Sequence, residues 1–156
     1  VNNKYKLLNN FLDKYRVNNI PKWVRRGIAI FASMNYDKHH NFHSHSVLLG
    51  IKIDEDKCWI ANEKLANSIY EPLVLSQVDD LSFIKKYIYN EGIQIAKMYW
   101  NSSLSFKENK LLRVDRGSGY DAEVLIFHNI LPEAIVPLYI ITDSKMYTFE
   151  EWKMTF

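Results

Sequence analysis

The sequence predicts an α+β fold with mixed or antiparallel sheets. Three observations predict it. Helical and strand-like stretches are segregated along the chain (a helix, then strands, then helices, then strands), which favours that class over a regular βαβ array. Two apolar runs, Val124 to Phe127 and Ile135 to Ile141, are bounded by Gly and Pro and read as strands buried on both faces. Neither nucleotide fingerprint, G-x-G-x-x-G after a strand or G-x-x-x-x-G-K-S/T, is present, and neither is the G-x-S-x-G of a nucleophile elbow.

The opening helix is expected over 4–16, where Tyr5, Leu8, Phe11, Leu12 and Tyr15 recur at helical spacing. Asn18 and Asn19 stop it, and Pro21 fixes the entry to the next segment. Gly27 to Met34 then reads as a mostly buried strand with Arg25 and Arg26 at its start; an arginine beside a strand end is ordinarily a surface residue. Val47 to Ile53 is a second strand, D-E-D-K (54–57) its turn, and Lys57 to Ala61 the returning arm of a hairpin. Asn62 is suited to cap a short helix from Glu63 to Tyr70, ended by Pro72. Asp79 and Asp80 open the longest helical segment, Leu81 to about Trp100, whose apolar face includes Ile88, Ile95 and Tyr99 and whose weak point is Gly92. Residues 101–119 read as a polar loop flanking a short strand. Lys145 to Thr148 adds a last edge strand, and Trp152 packs the end of the chain.

The 156 residues suit a single domain with a real core, and 47% hydrophobic with 14% aromatic content excludes a disordered chain. A net charge of +2 is too small to argue for nucleic acid from bulk electrostatics. Cys58 has no internal disulfide partner, so it reads as a packed thiol in a reducing cytoplasm. No apolar run approaches the roughly 18 residues needed to cross a bilayer, and no membrane association is expected.

Two segments carry chemistry. Glu123 leads into the Val124–Phe127 run, where rigid support and partial desolvation are the setting in which carboxylates react; the competing reading is a solvated strand-end residue. Residues 35–46 (N-Y-D-K-H-H-N-F-H-S-H-S) hold four histidines, His39, His40, His43 and His45. With no H-E-x-x-H helix and no cysteine partner, a solvated or substrate-facing loop is preferred to a metal site there.

Three stretches resemble the ADP-ribosyltransferase superfamily, in particular its DarT-like and related small bacterial members. Y-D-A-E-V-L-I-F-H-N-I-L-P-E-A-I is similar to the family's catalytic-glutamate strand, I-P-K-W-V-R-R-G-I-A-I-F-A to its arginine-bearing segment, and A-K-M-Y-W (96–100) to a Tyr-Trp placement in some relatives. Together they span roughly residues 20–142. The resemblance implies a split mixed/antiparallel sheet with flanking helices, gripping NAD as substrate. It also implies a toxin-like glycosyl transfer with Glu123 as the catalytic carboxylate. Arg26, or its neighbour Arg25, is implied to bind NAD phosphate through a charge-assisted fork, and Phe31 or Tyr70 to stack on nicotinamide. The family's first strand is expected upstream of Val1; alternatively Arg26-Gly27 is itself the opening arginine, with Ser44 and Ser46 as the serine motif.

The acceptor class (protein, nucleic acid or small molecule) stays open. Two other functions compete. One is a non-catalytic interaction module of the same fold, with an antitoxin-like or other protein partner. The other is a metal-dependent hydrolase built from the His39–His45 loop with Asp121 and Glu123, which lacks the lysine expected beside such carboxylates.

Overall fold

The computed structural model describes residues 3–35, 45–75, 81–143 and 145–156. It is α+β, with two antiparallel sheets and several helices. The contacts group the chain into two compact units, residues 1–35 with 55–127 and residues 36–54 with 128–156.

The first unit is built on a four-stranded sheet, β1 (Ile30–Ser33), β5 (Ala122–Ile126), β3 (Cys58–Asn62) and β4 (Leu104–Ser105), in that spatial order. β5 and β3 are the inner strands, and every residue of both is buried. That is the physical sense of the unbroken apolar run after Glu123: an inner strand covered on both faces has no wet side to alternate with. The helices are α1 (Asn3–Lys14), α2 (Glu63–Leu75), α3 (Leu81–Tyr87), α4 (Ile93–Asn101) and α5 (Phe106–Leu112). Leu8 and Leu12 of α1, Ala66 and Ile69 of α2, and Ala96, Tyr99 and Trp100 of α4 pack with Trp59, Ala61 and Leu125 of the sheet into one core. The Trp100 indole donates to the Leu12 carbonyl at 2.6 Å, fixing α4 against α1.

Several sequence expectations are corrected here. Residues 57–61 are not the returning arm of a hairpin with 47–53: β3 pairs with β5 and β4, while the earlier strand joins the other sheet. β3 lies between β5 and β4, so both its edges are taken without the earlier strand. The segment Gly27 to Met34 is a mostly exposed strand only from Ile30, because Arg26–Ile28 forms a 3-10 turn whose amides are held by α1. The helix from Glu63 continues through Pro72 to Leu75. Residues 81–101 are helical as expected, but around Gly92 the chain widens into a π turn, Ile88–Gly92. The polar stretch 101–119 is not a plain loop. It contains α5, begun by a reciprocal capping box in which Ser105 accepts from the Glu108 amide and Glu108 from the Ser105 amide.

The second unit holds the sheet β2 (Ser46–Ile51), β6 (Ile135–Ile141) and β7 (Met146–Thr148), in that order, followed by α6 (Phe149–Thr155). The expected edge strand is β7, and Trp152 of α6 lies against Tyr147 and Phe156. β6 is not buried on both faces: its first four residues are exposed, and only Ile141 is fully buried. The β2–β6 register slips between Leu48 and Leu49, where Leu49 faces Pro137. Proline has no amide to give the ladder, which accounts for a slip at that point.

Candidate functional site

Strand alternation decides where Glu123 looks. In β5, Glu123 and Leu125 share a face, and they stand opposite Ala61 and Trp59 of β3. Leu125, Ala61 and Trp59 all belong to the core under the helices. Glu123 therefore points into the helical layer, not to solvent, and its residue exposure is 4%. The expectation of a solvated strand-end carboxylate does not hold.

Arg26 meets it there. Its guanidinium Nη1 donates to Glu123 Oε1 and, at 2.6 Å, to the Tyr99 hydroxyl, while Nε donates to Asn9 Oδ1 at 3.0 Å. Tyr99 in turn donates to Glu123 Oε1 at 2.6 Å. Arg26 is 7% exposed and Tyr99 fully buried. The guanidinium carbon is 4.7 Å from the Phe31 ring centroid and 5.2 Å from that of Tyr99, whose hydroxyl it reaches. The backbone of Arg26 is held as firmly: Asp13 accepts from its amide at 2.7 Å and from that of Gly27 at 2.9 Å. Asn9 and Asp13 lie one turn apart on α1, so a single helix face grips this arginine by main chain and side chain together.

The charges follow from burial and proximity. Burial raises the Tyr99 hydroxyl well above its usual range, although the guanidinium beside it pulls the other way. It is therefore a proton donor at any ordinary pH. Burial alone would lower Arg26, but Tyr99 and Glu123 outweigh it and hold the guanidinium above its usual value. With Tyr99 protonated, Glu123 supplies the negative charge that Arg26 faces. Among the described residues, Glu123 Oε2 and Arg26 Nη2 have no hydrogen-bond partner.

The approach to β5 is fixed by Asn62 at the end of β3. Its Oδ1 accepts from the Lys64 amide, capping α2 as expected, and from the Asp121 amide at 3.0 Å, while its amide group donates to Gly119 O. A second buried polar cluster follows α5. Asp115 receives Arg113 through Nε at 2.9 Å and Nη2 at 2.7 Å, and also Asn109 and Asn35. These bonds, the pair from Arg113 foremost, hold the Asp115 carboxyl far below the usual carboxylate range despite its burial.

Of the residues singled out in the sequence, Glu123, Arg26 and Phe31 lie together. Arg25, in extended backbone just before the Arg26–Ile28 turn, is exposed. Tyr70 stacks on Tyr5 of α1 at 4.2 Å and is not a hydrogen-bond partner of Arg26, Glu123 or Tyr99. The fork of Arg26 expected for phosphate is engaged by Asn9, Tyr99 and Glu123, leaving Nη2. His39, His40, His43 and Ser44 fall outside the described residues; His45 is exposed, with Nε2 3.7 Å from Asp143 Oδ2. Among the described residues, no group of three or more His, Cys, Asp or Glu side chains is placed to hold a metal ion, and no helix is long and apolar enough to cross a membrane. Sequence reasoning gave no site role to Tyr99, which reads as part of an apolar helix face and of the A-K-M-Y-W resemblance, and missed Asn9 with Asp13, polar residues at i, i+4 on an otherwise amphipathic helix.

Compared with known proteins, the chain matches no family model, no curated protein and no solved structure.

Proposed function

We propose that this chain is an NAD-dependent ADP-ribosyltransferase in which Glu123 is the catalytic carboxylate. The observation that supports the reading is the setting of that side chain. It projects from an inner strand with both neighbours paired, one oxygen held by two donors and the other unengaged among the described residues. In the reaction the bond between ribose C1 and the nicotinamide nitrogen breaks, and nicotinamide leaves neutral with the bonding electrons. The sugar passes through an oxocarbenium-like centre, as in glycoside cleavage. Glu123 Oε2 accepts from a ribose hydroxyl and steadies the positive charge, and for a neutral acceptor it takes the proton as the acceptor attacks C1. Arg26 fixes the carboxylate and offers Nη2 to the substrate, and the half-exposed ring of Phe31 offers a face for nicotinamide.

The test is incubation with NAD labelled in its ADP-ribose part, together with cell lysate, followed by measurement of nicotinamide release and labelled acceptor. Wild-type protein should do both, and Glu123→Gln neither. Release that persists in Glu123→Gln would overturn the assignment.

One observation favours a second reading, a non-catalytic interaction module. A carboxylate matched by a buried guanidinium and a tyrosine hydroxyl also serves as a structural clasp, with its charge already satisfied. Such a protein would be stabilised by NAD or by a partner and would release no nicotinamide.

A further inference from the structure

We propose that Tyr99 is the positioning residue of the Glu123 site, a role that rests on the transferase reading above. A carboxylate turns readily about its last torsion, which is broad and two-fold, so a single guanidinium donor leaves the tilt of the group loosely set. A second donor from a fixed point narrows that torsion. The Tyr99 hydroxyl accepts from Arg26 Nη1 at 2.6 Å and donates to Glu123 Oε1 at 2.6 Å, closing a triangle of three hydrogen bonds in which Oε1 accepts two. Oε1 is thereby committed, and Oε2 is the oxygen without a partner among the described residues, the one the transferase reading gives to the ribose hydroxyl.

The hydroxyl is itself well fixed. Tyr99 is fully buried on α4, its ring stands edge-on to Trp100 with centroids 4.9 Å apart, and Trp100 is tied to α1 through Leu12. The same α1 holds Arg26 through Asn9 and Asp13. Two helices that are bonded to each other thus set both donors of the carboxylate. A displacement of one oxygen by about 1 Å is enough to lower turnover a hundredfold. Tyr99 touches neither NAD nor the reacting atoms in this scheme; it acts through Glu123.

Tyr99→Phe isolates the hydroxyl, because the ring keeps its packing while the carboxylate and guanidinium still hold each other. The experiment compares wild type, Tyr99→Phe and Glu123→Gln for thermal unfolding, and for kcat and KM of nicotinamide release from NAD. The expected result is a folded variant with a melting temperature lowered by about 3–12 °C. KM for NAD should be unchanged and kcat reduced by about tenfold or more, the fold-change for one lost bond to a charged group. Wild-type kcat in Tyr99→Phe, alongside a silent Glu123→Gln, overturns the positioning role and leaves the transferase reading standing. A raised KM at unchanged kcat overturns it too, since the hydroxyl would then bind substrate uniformly. An unfolded Tyr99→Phe does the same, placing the hydroxyl among the groups that hold the fold. Nicotinamide release by Glu123→Gln removes the transferase reading and the positioning role together.

Discussion

Arg26→Met takes away the guanidinium while keeping much of its length, and leaves the Glu123 carboxylate in the interior of the first unit. Breaking a buried ion pair by removing one partner costs about 3–5 kcal/mol, most of it the uncompensated charge that remains. The lost bonds to Asn9 and Tyr99 are each worth about 1 kcal/mol, and the partial solvation that Glu123 recovers offsets some of the total. The expected loss is about 4 kcal/mol, a large share of the roughly 5–15 kcal/mol available to a folded domain. Urea unfolding followed by tryptophan fluorescence suits the measurement, since Trp59 and Trp100 lie in the core that Glu123 faces. The double variant Arg26→Met with Glu123→Leu removes both charges and should regain about 2–3 kcal/mol of that loss. A single-variant loss under about 1 kcal/mol would place the pair with exposed ion pairs and refute the reasoning. So would a double variant no more stable than Arg26→Met.

Three further outcomes are expected. The Asp115 carboxyl is depressed in the fold, so the stability it contributes is fully present above its ordinary value near 4 and is lost as pH falls below that, towards its folded value. Acid unfolding followed by circular dichroism should therefore begin below about pH 4 in the wild type, and Asp115→Asn should be less stable at pH 7 with a shallower fall in acid. Ser105→Ala breaks the capping box of α5 and should cost about 1 kcal/mol in urea unfolding, with nicotinamide release unaffected. Arg26→Lys retains the charge, but an ammonium cannot reproduce the fork to Asn9, Tyr99 and Glu123, and it should lower both the melting temperature and NAD affinity measured by thermal shift.

The residues that pattern could reach were those whose role is local. Asn62 before a helical run reads as a cap, and its side chain accepts from the Lys64 amide. The capping box S-F-K-E was equally local and open to reading, yet the polarity of its surroundings made 101–119 pass for a loop. The hairpin of 47–53 with 57–61 failed for another reason: a short turn suggests adjacency, and nothing local reveals that each arm has a better partner farther along the chain.

By itself the sequence determined the α+β class, the opening helix, the inner-strand character of the run after Glu123 and the edge strand before the final helix, because periodicity, caps and turn residues act over a few positions. The tertiary structure alone decided that Glu123, Arg26 and Tyr99 meet. Arg26 and Glu123 are 97 positions apart, and Tyr99 is 24 from Glu123. Alternation along β5 puts Glu123 on one of two faces, but which face the helices cover, and which of their side chains reaches the carboxylate, depends on how the whole core closes.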